Sequence, residues 1–407
     1  MSSEAKKFDI IIVGGGSIGL TMAASLVKFG SDLKIAILDK AEFVAPADSR
    51  SSALAFGVTR IFETLGIWEE MLKTSNPIDK MKITDSGKND ISRPVFLNFE
   101  GEITPNNPFA FMVPNNTTMK ALLKLVKGKV SFFSKAEIKT FESDNFSAKL
   151  ILKSGELLQA PLIIGADGAK SMMRQIANIS TIGHEYGQSG VVTTISHEKP
   201  HFNTAYEHFR PNGPFASLPL PNNRSSLVWS EKTAQAEILR DMKHSELEGK
   251  IEEVMGHVLG RVKIEEKVMA FPLRLQVAKQ FFAPRLALIG DAAHVMHPIT
   301  GQGMNFGLKD VAALSEILIE AMRLGRDIGA SDVLEDYQNW RRYDVAMMGF
   351  ATESLNRLFS NDIAPIRAIR DVGLGMVEKM PFVKDQLISH AAAISNKEPR
   401  LLRGLPI

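Results

Sequence analysis

The stretch "FDIIIVGGGSIGLTMAASLVKFGSDLKIAILDK", Phe8 to Lys40, decides the fold. Its apolar run predicts a buried strand over Phe8–Val13, a turn through three glycines, a helix to about Phe29 stopped by Gly30, and a second strand over Ile35–Leu38. That is one βαβ unit. Gly14 permits the tight turn, Gly16 lets a pyrophosphate approach the backbone, and Gly19 lets the helix pack closely on the strand. The helix N-terminus then faces the phosphates. Asp39, twenty residues beyond Gly19 at the end of the second strand, suits a pair of hydrogen bonds to a ribose diol. The same carboxylate would repel the 2′-phosphate of NADP, which leaves FAD or NAD as the bound dinucleotide.

Composition sets the outer limits. A chain of 407 residues with 44% apolar content can bury one large core or two ordinary ones, and two lobes are expected. A net charge of +2 creates no field that argues for nucleic acid or for bulk membrane attraction. With no cysteine, thiolate metal sites, iron-sulfur clusters, thiol nucleophiles and disulfide scaffolds are excluded, so redox chemistry needs a bound cofactor. The start "MSSEAKKFDIIIV" lacks the pattern of a secretory leader, and no apolar run approaches the roughly 20 residues of a membrane-spanning helix. A cytoplasmic chain is expected, with attachment to a membrane surface left open.

Two further strand-to-helix turns follow. In "APLIIGADGAKSMMR" a strand through Ile164 ends in Gly165, Asp167 and Gly168, with Ser171 and Arg174 opening a helix. In "GDAAHVMHPITGQGMNFGLKD", Gly290 to Asp310, a strand over Leu286–Ile289 leads to Asp291, and a Gly-Gln-Gly turn at Gly301–Gly303 starts a helix. These three motifs, in this order and spacing, resemble the single-component FAD-dependent aromatic hydroxylases over essentially the whole chain. With "DSRSSALAFGVTRIFETLGIW" and "FRPNGPFASLPL", the nearest pattern is the ubiquinone-biosynthesis hydroxylase group, 2-polyprenyl-6-methoxyphenol hydroxylase-like. The family's acid-Asn-Arg segment is here "VPNNTTMKAL", with Asn116 where the family carries arginine.

The resemblance implies an α/β fold: a Rossmann-like FAD-binding domain, a smaller and mainly antiparallel β-sheet substrate domain, and C-terminal helices. The FAD-binding domain is expected to be discontinuous, over residues 1–75, 100–175 and 271–330, with the substrate domain at 76–99 and 176–270 and a helical region at 331–407. FAD is implied to be held noncovalently by Gly14, Gly16, Gly19, Asp39, Arg50, Asp167, Gly168, Asp291, Gly303, Met304 and Asn305. Arg50, in the family's Asp-x-Arg motif with Asp48, is implied to meet the pyrophosphate, Asp291 the ribityl chain, while Pro298, Gly301, Gln302 and Gly303 line the isoalloxazine. A helix beginning near Gly303 would aim free N–H groups at the flavin's pyrimidine edge and stabilise negative charge there.

Only one glycine fingerprint of the strand-turn-helix type is present, so NAD(P)H is expected to visit transiently as reductant. The implied reaction is hydroxylation of a polyprenyl phenol in ubiquinone biosynthesis, using O2 through a flavin C4a-hydroperoxide. A flavin-dependent reductase of isoprenoid lipids and a non-catalytic flavoprotein partner of a quinone-biosynthesis assembly are the alternatives. The expected partners are the phenol and O2, without nucleic acid, while a homo-oligomer or a ubiquinone-biosynthesis complex stays open. No general base for the phenol is assigned. Tyr206 and His208 have suitable chemistry, yet polar residues of such a strand are expected to face solvent. His294 and His297 could share a helical face, but no nearby carboxylate completes a ligand set and Pro298 breaks the segment, so no metal is expected. In "PIRAIRDVGLGMVEKM" the apolar Ile366, Ile369, Val372 and Met376 suit either packing on the body or contact with anionic lipid, and the ending "PRLLRGLPI" adds two arginines among apolar residues.

Overall fold

Ile10–Val13 lies inside a six-stranded sheet in the order Phe282–Ala283, Leu286–Leu288, Leu162–Gly165, Ile10–Val13, Ile35–Leu38 and Ser131–Phe133. All neighbours are parallel except the Phe282–Ala283 edge. The computed structural model describes residues 4–47, 50–85, 95–100, 107–297, 303–359 and 397–407, with the backbone alone for 95–100, 351 and 355–359. Ile10, Ile11 and Ile12 are fully buried, as strands covered on both faces must be. The helices Ser17–Phe29 and Gly303–Arg323 pack on one another, and with Asn115–Val126 they supply much of that cover. A four-stranded sheet, Lys6–Lys7, Leu157–Ala160, Ala148–Leu152 and Ile138–Ser143, is built on to this lobe.

Two boundaries differ from the sequence reading. The first strand starts at Ile10, because Lys6–Lys7 pairs separately with Leu158 and Gln159. The strand before the third motif ends at Leu288, and Gly290–Ala292 makes a single 3-10 turn that Gly290 enters at φ +61°.

The second large sheet has nine strands. Its path runs His294–Val295, Met269–Ala278, Thr181–His197, Arg224–Lys232, Phe215–Leu220, Thr204–Phe209, Lys80–Asp85 and Val95–Glu100, with Val262–Ile264 also pairing Thr181–His197. It is antiparallel but for one pair, Thr204–Phe209 with Lys80–Asp85, which run parallel. The helices Thr233–Asp241 and His244–Met255 cover one face, burying Val191, Phe215, Leu227 and Trp229 beneath Leu239, Leu247 and Ile251. Alternation along each strand leaves the other row, Ile83, Ala216, Val228, Val192 and Met269, only half-buried. A small three-stranded sheet of Ser51–Ala55, Ala110–Pro114 and Asn76–Ile78 approaches that second face, where Ala53, Ile78 and Met112 meet Ala205, Leu218 and Leu220.

After Gly303–Arg323 comes one long helix, Ser331–Phe359. The segment "PIRAIRDVGLGMVEKM" lies outside the described residues. The ending "PRLLRGLPI" is not a lipid-facing strip: Leu401, Leu402 and Ile407 are buried in the main core, and the Glu316 carboxylate accepts the Arg400 amide at 2.6 Å. Among the described residues no helix is long and apolar enough to cross a membrane.

Candidate active site

The glycine turn, the Asp167 turn and the Asp291 turn all leave the carboxyl ends of parallel strands, the edge at which sheets of this kind take their ligands. They touch one another. A Cβ on Gly14, which sits at φ +117°, would lie 2.2 Å from the Ala166 carbonyl oxygen, and one on Gly19 would lie 1.9 Å from the Gly14 oxygen. Ile18 packs against both Gly290 and Gly307, so the third turn and its helix are held to the first. These are contacts only glycine allows.

Gly16 differs from its neighbours in facing open space, exposed and without any atom within 4 Å of a built Cβ. Ser17–Phe29 begins there with no side-chain cap and no acid in its first turn, leaving amide N–H groups and the positive end of the helix dipole for an anion. Gly168, at φ +78°, also borders open space. Asp39 is half-buried, and its two oxygens accept the Gly15 amide at 2.6 Å and the Ala41 amide at 2.8 Å. Each oxygen keeps a lone pair for a further donor. One oxygen of Asp167 accepts the Met172 and Met173 amides at 2.7 and 3.0 Å, while the other, Oδ1, is buried without a partner among the described residues. A buried carboxylate oxygen without a donor is costly unless a ligand or water supplies one.

Arg174 does not reach the open site. It is buried, and its guanidinium donates to the carbonyls of Ala292 at 2.7 Å and Ala169 at 3.1 Å, clamping the second turn to the third. Asp291 does border the site: it is exposed on the open side yet ringed by enough protein that burial raises its carboxyl, against the lowering effect of His294 and Arg274.

Gly303 opens its helix exposed, with nothing within 4 Å of a built Cβ, beside the half-buried Met304. Asn305 is buried: its amide donates to the Ala53 carbonyl at 2.9 Å and its oxygen accepts the Ala55 amide at 3.0 Å. Asn305 therefore fastens the start of the helix to Ser51–Ala55, a tie the motif alone did not reveal. Arg50, just before that strand, stands over the Phe271 ring with its guanidinium 6.0 Å from the centroid. It lines a cavity of about 160 Å³ with Val192, Thr193, Ser226 and Met269 of the nine-stranded sheet. Arg50 thus sits at the seam between the two sheets. Asp48, Pro298, Gly301 and Gln302 lie outside the described residues. Asn116 is half-buried beside Thr117, whose hydroxyl donates to it at 3.4 Å, and Asn115 accepts from the Ser52 hydroxyl at 2.8 Å.

The two histidines of the third motif go separate ways. His294 Nε2 is 2.7 Å from the buried Asp310 carboxylate. His297 is buried against the edge of Tyr186, with Gln188 Oε1 3.4 Å from Nε2, and burial pushes it down to about 4. Tyr206 and His208 are not solvent-facing. Tyr206 packs half-buried against the helix-covered core, and the buried His208 has Nδ1 2.7 Å from the Thr84 hydroxyl. The strand's outer side is roofed by helices, which period-two alternation by itself does not disclose.

The chain's likeness to known proteins agrees with this geometry. The model of the FAD binding domain family matches residues 7–348. The ubiquinone hydroxylase UbiL of Rhodospirillum rubrum is 38% identical, over 100% of this chain and 95% of that protein. The 3-demethoxyubiquinol 3-hydroxylase of Escherichia coli K12 is 32% identical, over 95% of this chain and 98% of that protein. Among solved structures, the p-nitrophenol 4-monooxygenase PnpA of Pseudomonas putida superimposes with a TM-score of 0.77 at 17% identity, covering 95% of this chain and 98% of its own. At that identity the likeness speaks for the fold.

Proposed function

Since the chain belongs to the FAD-binding-domain family, we propose that it is a flavin-dependent monooxygenase that hydroxylates the aromatic ring of a polyprenyl phenol in ubiquinone biosynthesis. The reaction takes an aromatic C–H, O2, NAD(P)H and a proton to C–OH, water and NAD(P)+. The observation that carries the reading is the full-length likeness to ubiquinone hydroxylases. The site adds to it an open cradle for a dinucleotide and a half-buried apolar sheet face across from Ser51–Ala55.

FAD, when bound, supplies the electron store and the activated oxygen. The residues of this chain do the rest. The free amides at Gly16 and the start of Ser17–Phe29 would take the pyrophosphate, with Asp39 on a ribose diol and Asp291 on the ribityl chain. The orphaned Asp167 Oδ1 and the open Gly168 fit a donor-bearing ligand at the second turn. The start of the Gly303–Arg323 helix, with no acid in its first turn, would stabilise negative charge developing nearby. The apolar face of Val192, Ala216 and Val228 would exclude water and hold the ring in place. The protein is expected to be cytoplasmic, touching a membrane surface to meet a lipid-soluble phenol.

The test is oxygen uptake and product analysis with purified, FAD-loaded protein, NAD(P)H and a short-chain prenylphenol. Substrate-dependent oxygen consumption with a hydroxylated product supports the proposal. Oxidation of NAD(P)H coupled to reduction of an isoprenoid lipid without oxygen would show the reductase alternative instead, and no turnover at all would leave a binding role.

A further inference from the structure

One charged side chain sits in the middle of the open face of the nine-stranded sheet. The pairing places Glu207 opposite Ile83 on one neighbour and Ala216 on the other, and Ala216 continues through Val228 and Val192 to Met269. Directly paired residues point to the same side of a sheet, so Glu207 belongs to the half-buried apolar row. Val192 and Met269 line the cavity that Arg50 closes. Two residues back, Ala205 meets Ala53 and Met112 of the small sheet, whose first strand is held by Asn305. The carboxylate is therefore in the cleft between the sheet and the strand fastened to the Gly303 helix. Among the described residues it makes no hydrogen bond and no ion pair.

Resting on the hydroxylase reading above, we propose that Glu207 is the catalytic residue that contacts the substrate's ring hydroxyl and takes its proton as the new C–O bond forms. The phenol O–H bond breaks and a Glu207 O–H bond forms. The freed electron pair enters the ring, and the ring carbon that it activates bonds one oxygen atom drawn from O2 as the O–O bond breaks, the other atom leaving as water with the two electrons that NAD(P)H supplied. Loss of the proton from that carbon restores aromaticity, and the ring oxygen regains a proton as Glu207 gives its own back.

A carboxylate near its ordinary value of about 4.3 is a weaker base than a phenolate of about 10 by roughly six powers of ten. Burial pushes Glu207 up to about 8, which narrows the gap to about two and brings the base near working pH. The charged groups on this face include Asp85, on the adjoining strand opposite Phe209, Arg224, opposite Leu220, Lys232, opposite Gln188, and Arg50, Glu266 and Lys267 at the far end, and burial alone causes the shift. Tyr206 and His208, which flank Glu207 in sequence, point to the helix-covered side.

The experiment compares the FAD-loaded parent, Glu207→Gln and Glu207→Asp with a short-chain prenylphenol, NAD(P)H and oxygen across a range of pH. Glu207→Gln is expected to lose at least tenfold in hydroxylation while NAD(P)H oxidation continues with release of hydrogen peroxide. Its rate should recover only as pH climbs toward the phenol's own ionisation, whereas the parent's should rise through about 8. Glu207→Asp should fall between them. An independent readout uses 4-nitrophenol on the oxidised protein at a pH where the free probe is protonated. The parent should bind it with the visible phenolate band, and Glu207→Gln should bind it neutral. Equal rates and pH profiles in parent and Glu207→Gln, or the same probe band in both, overturn the proposal. A parent that oxidises NAD(P)H without oxygenating any phenol overturns the hydroxylase reading, and the probe spectrum still decides whether Glu207 takes a phenol proton.

Discussion

Asp310 Oδ2 lies 2.7 Å from His294 Nε2 and accepts the Gly290 amide at 2.9 Å with the same oxygen. The far end of the third motif thus closes back on its start. Its other oxygen takes the Arg341 guanidinium at 2.7 Å, and Arg341 reaches on to Asp344 at 2.8 Å. Asp310 and Arg341 are both buried. The frame holds the turn that carries Asp291 against the helix that begins at Gly303, so the two positions proposed to meet the dinucleotide on this motif stay in register.

Breaking that frame should unfold the protein more than it alters chemistry. Asp310→Ala leaves Arg341 buried without its main partner, a change that costs about 3–5 kcal/mol. Burial opposes the charged carboxylate, but His294 and Arg341 together hold Asp310 below its ordinary value of 3.8. A depressed folded value means that its contribution is present above 3.8 and is lost as pH falls through the folded value. Urea denaturation should show a midpoint far below the parent's at neutral pH. An unchanged midpoint would mean that the network is ornamental.

His297 acts over a different window. Burial holds its ring down at about 4, against 6.5 in the unfolded chain, so between these values the unfolded state binds a proton that the native state does not. Stability should therefore fall as pH drops from 6.5 toward 4, by up to about 1.4 kcal/mol per pH unit. His297→Asn should flatten that slope in thermal melts between pH 5 and 7. A slope identical to the parent's would assign the acid sensitivity to other groups.

Asp39→Ala should do two things, because the carboxylate both braces the Gly15 amide and faces the cofactor side. Losing a charge-assisted contact should weaken FAD binding by about 1.5–3 kcal/mol. Losing the Gly15 and Ala41 bonds should also lower the melting temperature of the flavin-free protein. Flavin fluorescence titration and apoprotein melting separate the two. If the apoprotein melts as the parent does, the bracing role of the carboxylate is refuted.

The central βαβ unit was legible because its signals are local: a four-residue apolar core strand, glycines, a helix period and an acid within one short stretch. The parallel pairing of Lys80–Asp85 with Thr204–Phe209 was not, since nothing near either strand records a partner more than a hundred residues away. Glu207 was not legible for the same kind of reason. "TAYEHF" alternates cleanly, but the sequence does not say which face the helices will roof, so it does not set Glu207 apart from Tyr206 and His208 on the covered side. Nothing local marks Asp310 as a buried anchor, because Arg341 is supplied from a later helix and His294 from the preceding turn. The openness of Gly16 and Gly303, by contrast, follows directly from the motifs.

The glycines of the first turn should separate folding from binding. Gly19→Ala places a methyl 1.9 Å from the Gly14 carbonyl oxygen, which neither backbone can yield, and should give little soluble protein. Gly16→Val meets no atom of the described residues and should melt normally, yet it fills the space where a pyrophosphate would sit. Circular dichroism and flavin content of the two purified variants test the contrast. A yellow Gly16→Val protein with the parent's FAD content would place the phosphates elsewhere.

Gly303→Val carries the same logic to the reactive end of the site. Among the described residues a built Cβ there has no neighbour within 4 Å, so the side chain itself should cost the folded protein little, and its melting profile should stay near the parent's. The side chain would instead stand between an approaching flavin and the N–H groups of the helix start. Losing one such preorganised donor typically costs about 2.7–4 kcal/mol in the chemical step. Hydroxylation should therefore fall by two orders of magnitude or more, on the order of that free energy, while NAD(P)H oxidation continues and oxygen leaves as hydrogen peroxide. The measurement compares product, peroxide and NAD(P)H consumed in the same reaction mixture. Should the variant hydroxylate at the parental rate without extra peroxide, the Gly303 turn does not face the flavin, and the contact assigned to this helix belongs to another part of the chain.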